Sequence, residues 1–444
     1  MKYLIKKANL VNEGEIGIYD VLIEDGIISK IDRNIENTLN AVEINAEGLV
    51  LMPGAIDDQV HFREPGLTHK GEIYTEAKAA VAGGVTSYME MPNTDPQAVN
   101  LTELEKKYTR ASNCSLANYS FFMGGTNHNL EETLKVDYSQ VCGLKIFMGS
   151  STGDMLVDHE EVLEGFFSRV PALITTHCEF DPMIKENQKR IMQEYGDKIP
   201  AYFHPIIRSE EACYKSSSMA VALAKKHNTR LHVLHISTAK ELSLFSNKLP
   251  LAQKRITAEA CIHHLWFSDE DYRSKGNLIK WNPAIKTAYD RAKIFEAVLN
   301  DTIDVIATDH APHTLEEKNQ SYLKAPSGGP LVQHGILAML DFYHDKKISL
   351  EKIVQKMSHH VADLFHIENR GYIREGYFAD LVLVNLNKTH FVNKGNILYK
   401  CGWSPFEGHT FKSSIEKTFV NGQLVYDNGR FDESKLGQRL TFRL

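Results

Sequence analysis

The sequence has no apolar run that approaches about 18 residues, the length that a membrane-spanning helix requires. Its opening stretch, KYLIKKANLV, is too short and too interrupted for the apolar core of a signal peptide, so we expect a cytoplasmic protein without a membrane partner. Basic residues are not in excess, because the formal net charge is -7 at pH 7, which argues against a nucleic-acid partner. The 6 cysteines are scattered singly without a C-x-x-C pair, as expected of reduced thiols.

The composition is typical of a globular protein, with 43% hydrophobic and 24% charged residues. The pattern of apolar runs and turn residues changes twice along the chain. Residues 1–53 and 367–444 consist of short Val- and Ile-rich runs separated by turn signals such as Asp-Gly and Asn-Gly, which predict strands and hairpins. Between them, residues 54–366 alternate short apolar runs with amphipathic helical stretches, the pattern of a parallel sheet. We therefore predict a catalytic (β/α)8 TIM-type barrel over 54–366, flanked by a small β-sandwich built from both chain ends.

Polar side chains follow one predicted strand after another at the point where the strand ends. Barrel enzymes place their chemistry at these ends, so the residues are expected to converge on one site. Taken singly, each has an ordinary structural explanation: an aspartate there commonly caps the next helix, and a lysine can extend to solvent. Their occurrence at successive strand ends favours a functional site formed by His61, Arg63, Asn93, Lys145, His177, His235 and Asp309.

The residue types in this set indicate a metal centre. Three imidazoles, a carboxylate and a lysine within an apolar strand suit zinc, which accepts nitrogen and oxygen ligands. A buried lysine has a depressed pKa, because burial disfavours the ammonium ion. The neutral amine can take up carbon dioxide and become a carbamate, an anionic ligand with two oxygens that is able to bridge two metals. The residue types therefore fit a zinc site to which Lys145 can contribute such a carbamate.

The chain resembles a known family in an ordered set of motifs that extends over nearly its whole length. The motifs are HFREPG, MPNT, GLKIFMG, TTHCE, LHVLHIS, ACIHHL, WNPAIK, ATDHAPH and SPFEGH. They resemble those of the cyclic amidohydrolases, and most closely those of the dihydroorotases. The resemblance implies a zinc-dependent hydrolase that has a (β/α)8 barrel, one or two zinc ions per subunit and a carbamate on the lysine, and that forms a homodimer. It also implies the reversible interconversion of N-carbamoyl-L-aspartate and (S)-dihydroorotate in de novo pyrimidine (UMP) biosynthesis.

The resemblance also assigns roles to individual positions. His61 matches the second histidine of the family's H-x-H motif, and Lys145 matches its carboxylated lysine. Asp309 matches the aspartate that binds metal and shuttles the proton, so it is the expected catalytic residue. The implied metal ligands are His61, Lys145, His177, His235 and Asp309, and the implied substrate-binding residues are Arg63, Asn93, Asn282 and His313.

One position departs from the family pattern, because Gln59 stands where the first histidine of H-x-H is expected. Side chains alternate along a strand, so Asp57 lies on the face of Gln59, whereas Asp58 points to the opposite face unless a bulge intervenes. An amide oxygen is a weaker metal donor than an imidazole, which leaves three outcomes open: two metals with a weak first site, one metal, or an inactive paralogue. The last conflicts with the presence of the other ligands and of Arg63, which a bare scaffold does not need.

Three other functions remain open from the sequence. A guanidinium pairs with a carboxylate through two hydrogen bonds, so Arg63 and Asn93 favour a substrate with a ring carboxylate. The substrates of hydantoinases and dihydropyrimidinases lack such a group, whereas allantoinase is a closer alternative because its substrate is polar and its motifs overlap. The third alternative is a non-catalytic dihydroorotase-like subunit of an aspartate transcarbamoylase assembly, which only Gln59 favours.

A mobile lid is predicted over residues 315–329, LEEKNQSYLKAPSGG. The segment is polar, lacks a clear period and ends in a glycine pair, as loops at a barrel mouth often do. A static surface loop is the alternative.

Overall fold

The N-terminal part of the chain is β-structure in the computed structural model, which describes residues 2–37, 40–149 and 154–443. Its strands are β1 (Tyr3–Asn12), β2 (Glu15–Glu24), β3 (Ile27–Asp32), β4 (Val42–Asn45) and β5 (Val50–Pro53). The first three strands form an antiparallel meander. The turn between β2 and β3 places Asp25 at φ 51° and Gly26 at φ 88°, the left-handed conformation that Asp-Gly hairpin turns favour.

Parallel strands follow, as the alternating pattern predicts. They are β6 (Ala55–Val60), β7 (Val85–Glu90), β8 (Asn118–Phe121), β9 (Met123–Gly124), β10 (Leu144–Phe147), β11 (Ile174–His177), β12 (Leu231–Val233), β13 (Ile256–Cys261) and β14 (Val305–Ala307). Every residue of β6, β7, β10 and β11 is buried, as expected for parallel strands that are covered on both faces.

The strands close into a barrel with eight strand positions within the described residues. β8 pairs with β7 and β9 pairs with β10, so β8 and β9 are two parts of one strand that is interrupted at Phe122. The ring closes between its last and first strands, where Val60 bridges His310 in parallel and the His61 amide donates to the His310 carbonyl at 2.7 Å.

Helices alternate with the barrel strands along the chain. They are α1 (Ile73–Ala82), α2 (Leu101–Ser112), α3 (Leu130–Thr133), α4 (Glu160–Arg169), α5 (Asp181–Tyr195), α6 (His204–Ile207), α7 (Glu210–His227), α8 (Ile262–Trp266), α9 (Tyr272–Lys275), α10 (Ala288–Leu299), α11 (Leu315–Lys318), α12 (Gly335–His344), α13 (Leu350–Val354) and α14 (His360–Phe365). Local sequence sets several starts: Ser209 caps α7, and Thr287 with Asp290 forms a capping box at α10. In the described part of the chain, no helix has both the length and the apolar character to cross a bilayer.

The last strands return to the N-terminal sheet. They are β15 (Leu381–Asn385), β16 (His390–Phe391), β17 (Thr410–Phe411), β18 (Ser414–Val420), β19 (Gln423–Asp427) and β20 (Arg430–Phe431). One mixed sheet has the order β20-β19-β18-β15-β5-β1-β2-β3, with β4 on the free part of β1. Leu51 of β5 pairs with Leu383 of β15, and both side chains lie in a shared apolar core with Ile5 and Phe419.

The predicted fold class, a (β/α)8 TIM-type barrel flanked by a small β-sandwich built from both chain ends, is confirmed, and the main flanking strands pair in one mixed sheet. The flanking strands come from residues 3–53 and 381–431, and the barrel strands from residues 55–307. The division of the chain at 53/54 and 366/367 stays a prediction.

Candidate active site

The carboxyl ends of the barrel strands surround a cavity of about 240 Å³. Trp281 and Phe147 form apolar walls, and the loop that contains Ser327 and Gly328 forms part of its rim. The structure brings all nine predicted site residues together there: His61, Arg63, Asn93, Lys145, His177, His235, Asn282, Asp309 and His313. The sequence placed them at strand ends, and barrel closure explains why residues far apart in the chain meet at one point.

The His177 and His235 rings lie next to each other in the cavity wall, in an edge-to-face arrangement. His177 Nδ1 lies 2.9 Å from His235 Nε2, and His177 Nε2 lies 3.1 Å from a carboxylate oxygen of Glu179. Glu179 also forms an ion pair with Arg208, and with the carboxylate ionised His177 donates from Nε2. The lone pair of His177 Nδ1 then points toward His235. Burial and nearby positive charges hold the pKa of His235 well below its usual range, so the ring is neutral, as a metal ligand must be.

Lys145 is 1% exposed on β10 and also faces this cavity. Its Nζ lies 4.7 Å from the centre of the Phe147 ring. Burial lowers the pKa of the amine from 10.5 to about 7, even though Glu259 and Asp309 act in the opposite direction. A substantial neutral fraction at neutral pH is what carbamate formation requires.

His61 and Asp309 complete the candidate ligand set. His61 Nδ1 lies 2.8 Å from the Asn93 Oδ1 atom, to which it donates, and this leaves Nε2 directed at Asp309 Oδ1 at 3.3 Å. Burial raises the pKa of Asp309 to about 7 and lowers that of His61 well below its usual range. Asp309 has φ 47°, and the Trp281 indole donates to its carbonyl at 3.4 Å. Two neutral imidazoles, a third histidine, a titratable carboxylate and a neutral amine therefore fit a zinc centre.

Gln59 lines the cavity, but its side-chain amide is hydrogen-bonded within the protein and is not simply a metal ligand. Its Nε2 donates to Asp309 Oδ1 at 3.1 Å, and its Oε1 lies 3.7 Å from the Cys261 sulfur, whose single proton goes to Glu259 Oε1 at 3.1 Å. Asp57 does not compensate, because its carboxylate accepts from the Thr308 amide at 3.1 Å and from the Thr308 hydroxyl at 2.5 Å. Gln59 therefore orients the carboxylate of Asp309.

Asp58 points into the barrel, because a bulge in β6 interrupts the regular alternation of side chains along the strand. The pairing register of β6 against β7 shifts between Asp57 and Val60. The Asp58 carboxylate lies 3.4 Å from His232 on β12, a strand that is not a sheet neighbour of β6. The contact crosses the barrel, so Asp58 points into the barrel interior below Gln59 instead of outward.

A cationic group lies at one side of the cavity. Arg63 Nε donates to the Pro312 carbonyl at 3.0 Å, and Nη2 lies 3.1 Å from His313 Nε2. Lys70 donates to His313 Nδ1 at 3.1 Å, so the proton of the neutral ring is on Nε2, which donates to the Ser327 carbonyl at 3.0 Å. Arg63 Nη2 therefore faces a donor on His313 and lacks an acceptor there.

Sequence patterns did not predict the residues that orient the side chains of the site through hydrogen bonds. Glu179 and Arg208 fix the His177 ring, and Lys70 fixes His313. Glu179 follows His177 by two positions in TTHCE, and this spacing is a signal that could have been read. Arg208 and Lys70 are far from their partners in sequence and gave no such signal.

The segment proposed as a lid contributes Pro326, Ser327 and Gly328 to the cavity. It contains α11, and two buried lysines donate hydrogen bonds to its backbone carbonyls. Lys318 donates to the carbonyls of Lys280, Pro326 and Gly328 at 3.2, 3.0 and 2.7 Å. Lys280 donates to the carbonyls of Tyr322 and Ala325 at 2.7 and 2.6 Å. Opening the segment would break these bonds.

Sequence comparisons agree with this geometry. The sequence profile of the amidohydrolase family matches residues 173–425, and that of the dihydro-orotase-like family matches residues 48–241. A dihydroorotase of Ligilactobacillus salivarius is 32% identical over 438 residues, which cover 96% of this chain and 99% of that protein. An allantoinase of Desulfitobacterium hafniense is 28% identical over 451 aligned residues, covering 98% of each chain.

Structural comparison gives the same result. The L-hydantoinase (dihydropyrimidinase) from Arthrobacter aurescens matches with a TM-score of 0.93 and 25% sequence identity, covering 99% of both chains. The amidohydrolase profile spans more than half of the sequence, and the dihydroorotase relative is similar over nearly all of it. The chain therefore belongs to the amidohydrolase family.

Proposed function

We propose that this cyclic amide hydrolase is a dihydroorotase, interconverting N-carbamoyl-L-aspartate and (S)-dihydroorotate in pyrimidine biosynthesis. The observation that carries the proposal is Arg63, which is 7% exposed, lines the cavity and has no carboxylate within 4.0 Å in the described residues. A buried cation without a counter-ion is unfavourable, so a substrate carboxylate would supply the missing charge. Dihydroorotate and carbamoyl-aspartate carry that carboxylate, whereas the rings of hydantoin, dihydrouracil and allantoin do not.

The proposed zinc ligands are His61, the carbamate of Lys145, His177, His235 and Asp309. A bound zinc supplies polarisation of the ring carbonyl and an activated water at neutral pH. Asp309 is placed to accept a proton and return it to the leaving ring nitrogen, because burial raises its pKa to about 7. Asn282 lines the cavity with a buried Oδ1 that has no hydrogen-bond partner among the described residues, and it can accept from a substrate N–H.

The test is turnover of dihydroorotate, allantoin, hydantoin and dihydrouracil by the purified, zinc-loaded protein. We expect kcat/KM for dihydroorotate to exceed that for each neutral ring by at least about 30-fold, the equivalent of about 2 kcal/mol for a buried charge pair. Preferred turnover of allantoin would replace the proposal with allantoinase. Absence of all four activities would favour a non-catalytic subunit, to be examined by adding aspartate transcarbamoylase.

Gln59→His should strengthen zinc binding at the more exposed metal position. The glutamine amide nitrogen is engaged by Asp309, whereas an imidazole would offer a free nitrogen donor to the metal. We expect the zinc concentration needed for half-activity to fall by about 10-fold or more, or the zinc content to rise. Activity titration and elemental analysis measure both, with Gln59→Asn as the control that keeps an amide. Unchanged titration in the histidine variant would show that one metal suffices.

Carboxylation of Lys145 should depend on pH with a midpoint near 7. Burial lowers the pKa of the amine to about 7, so the reactive neutral form dominates above that pH and the inert ammonium below it. About one tenth of the amine is neutral at pH 6 and about nine tenths at pH 8. At constant dissolved carbon dioxide, ¹³C NMR of the metal-free protein should show initial uptake rising about tenfold over this range. A flat profile, or equal uptake by Lys145→Arg, would contradict the assignment.

Lys318→Met should loosen residues 320–329. The variant loses three hydrogen bonds to backbone carbonyls, worth on the order of 3 kcal/mol together. Amide hydrogen exchange in the segment should then accelerate by about 100-fold, whereas it should stay unchanged in the control Lys324→Met, whose side chain is exposed. If the segment acts as a lid, substrate should slow its exchange in the unmodified protein. Exchange that does not respond to substrate would favour a static loop.

A further inference from the structure

A second group of potential metal ligands lies inside the barrel, apart from the candidate active site. Asp58 on β6, His232 on β12 and Glu259 on β13 are each 0% exposed, and their ligand atoms all lie within 4.8 Å of one another. His232 Nε2 is 3.4 Å from Asp58 Oδ2 and 3.8 Å from Glu259 Oε2, which is too long for good hydrogen bonds. Donor atoms around a tetrahedral ion at about 2.0 Å are separated by about 3.3 Å, close to the spacing seen here.

In its neutral form, as a metal ligand, His232 can direct a lone pair at the two carboxylates. The Thr257 hydroxyl donates its single proton to the Leu231 carbonyl at 3.2 Å and lies 2.8 Å from His232 Nδ1. Nδ1 must therefore donate to the hydroxyl oxygen. In the neutral ring, Nε2 then carries the lone pair, and it is the atom that faces Asp58 and Glu259.

Four buried polar atoms of the cluster form no hydrogen bond within the described part of the chain. Both oxygens of Asp58, Oε2 of Glu259 and Nε2 of His232 have no hydrogen-bond partner among the described residues. Buried polar atoms in folded proteins nearly always have a partner. A divalent cation placed among these residues would supply one.

We propose that Asp58, His232 and Glu259 bind a divalent transition-metal cation, such as zinc or manganese, in the barrel interior. The site offers one nitrogen and two oxygen donors, which are types that these metals accept. The remaining Glu259 oxygen accepts from the His235 amide at 2.8 Å and from the Cys261 thiol at 3.1 Å. The cation would thus brace the end of β12, where His235 enters the cavity.

The test is crystallography of the zinc-loaded protein with anomalous scattering recorded on both sides of the zinc absorption edge. The expected result is a zinc peak bounded by Asp58, His232 and Glu259, resolved from any peak in the cavity. Asp58→Asn should remove this peak and lower the zinc content by about one equivalent per chain, while leaving the cavity peak in place. Asp57→Asn is the matched control, because it makes the same change one residue earlier and should keep both peaks.

A zinc-loaded wild-type crystal without the interior peak would overturn the proposal, whether or not Asp58→Asn folds. Doubly protonated His232, seen by ¹⁵N NMR in the zinc-saturated protein, would also overturn it. Without a cation, burial lowers the pKa of His232, but the carboxylates of Asp58 and Glu259 outweigh burial and raise that pKa to about 9. The proposed activity is judged separately, from substrate turnover and from the peak in the cavity.

Discussion

Replacing Lys145 with alanine is expected to lower kcat/KM for dihydroorotate by about 10³-fold or more. The variant loses the carbamate that would hold the metal, and metal polarisation supplies several kcal/mol of transition-state stabilisation. The zinc content should fall with the activity, since Lys145 lies in the same cavity as His177 and His235. Steady-state kinetics and elemental analysis of the same preparations measure the two effects together.

Short carboxylic acids should partly restore the activity of Lys145→Ala, because a small carboxylate can occupy the space and the ligand position of the carbamate. Lys145→Arg is the control: its side chain stays charged, cannot be carboxylated and leaves no space for the added acid. Wild-type activity in Lys145→Ala would contradict the assignment. Electron density for a plain amine in a crystal loaded with metal would do the same.

Arg63→Gln is expected to lower kcat/KM for dihydroorotate by about 30- to 5,000-fold, the equivalent of about 2–5 kcal/mol for removing one partner of a buried charge pair. The side chain is buried and lines the cavity, and Nη2 has no acceptor on His313. The loss should be similar for carbamoyl-aspartate, because both substrates carry the carboxylate. Initial rates in both directions of the reaction measure it.

Slow turnover of dihydrouracil supplies the control for Arg63→Gln, because that ring carries no carboxylate that Arg63 could bind. We expect its rate to change by less than about threefold, the range of ordinary surface substitutions. Arg63→Lys keeps the charge but not the two-pronged geometry, so its loss with dihydroorotate should be intermediate. Equal losses for dihydroorotate and dihydrouracil would show that Arg63 supports the fold of the cavity and does not select the carboxylate.

The barrel and the members of the candidate site could be predicted because their signals are local. Lys145 lies in an apolar run, and His177 and Asp309 each follow one, so their strands and strand ends are visible in the sequence. Parallel strands align their carboxyl ends at one edge, and closure of the ring brings those ends together. The flanking hairpins were predictable for the same reason, because Asp25-Gly26 and similar turn pairs mark them.

The remaining features depend on contacts between distant residues, which local patterns do not contain. The inward direction of Asp58 results from a register shift in β6, and a shift of one residue moves a side chain to the other face. The tether of the 315–329 segment depends on Lys280 and Lys318, which look like ordinary surface lysines in the sequence. Gln59 could be recognised as a departure, but its bond to Asp309 required the closed barrel.

The pairing of β5 with β15 has a consequence for synthesis of the protein. Leu51 and Leu383 are partners across the two strands and are separated by roughly 330 residues, which a ribosome adds in about 17–66 s at ordinary elongation rates. During that interval β5 can pair with β1 on one side, while its other edge lacks the partner that completes the sheet. All residues of β5 are buried in the finished fold, so the nascent chain presents an apolar strand edge for tens of seconds. Release of an incomplete chain would therefore leave a template for aggregation, and only the arrival of the C-terminal strands removes it.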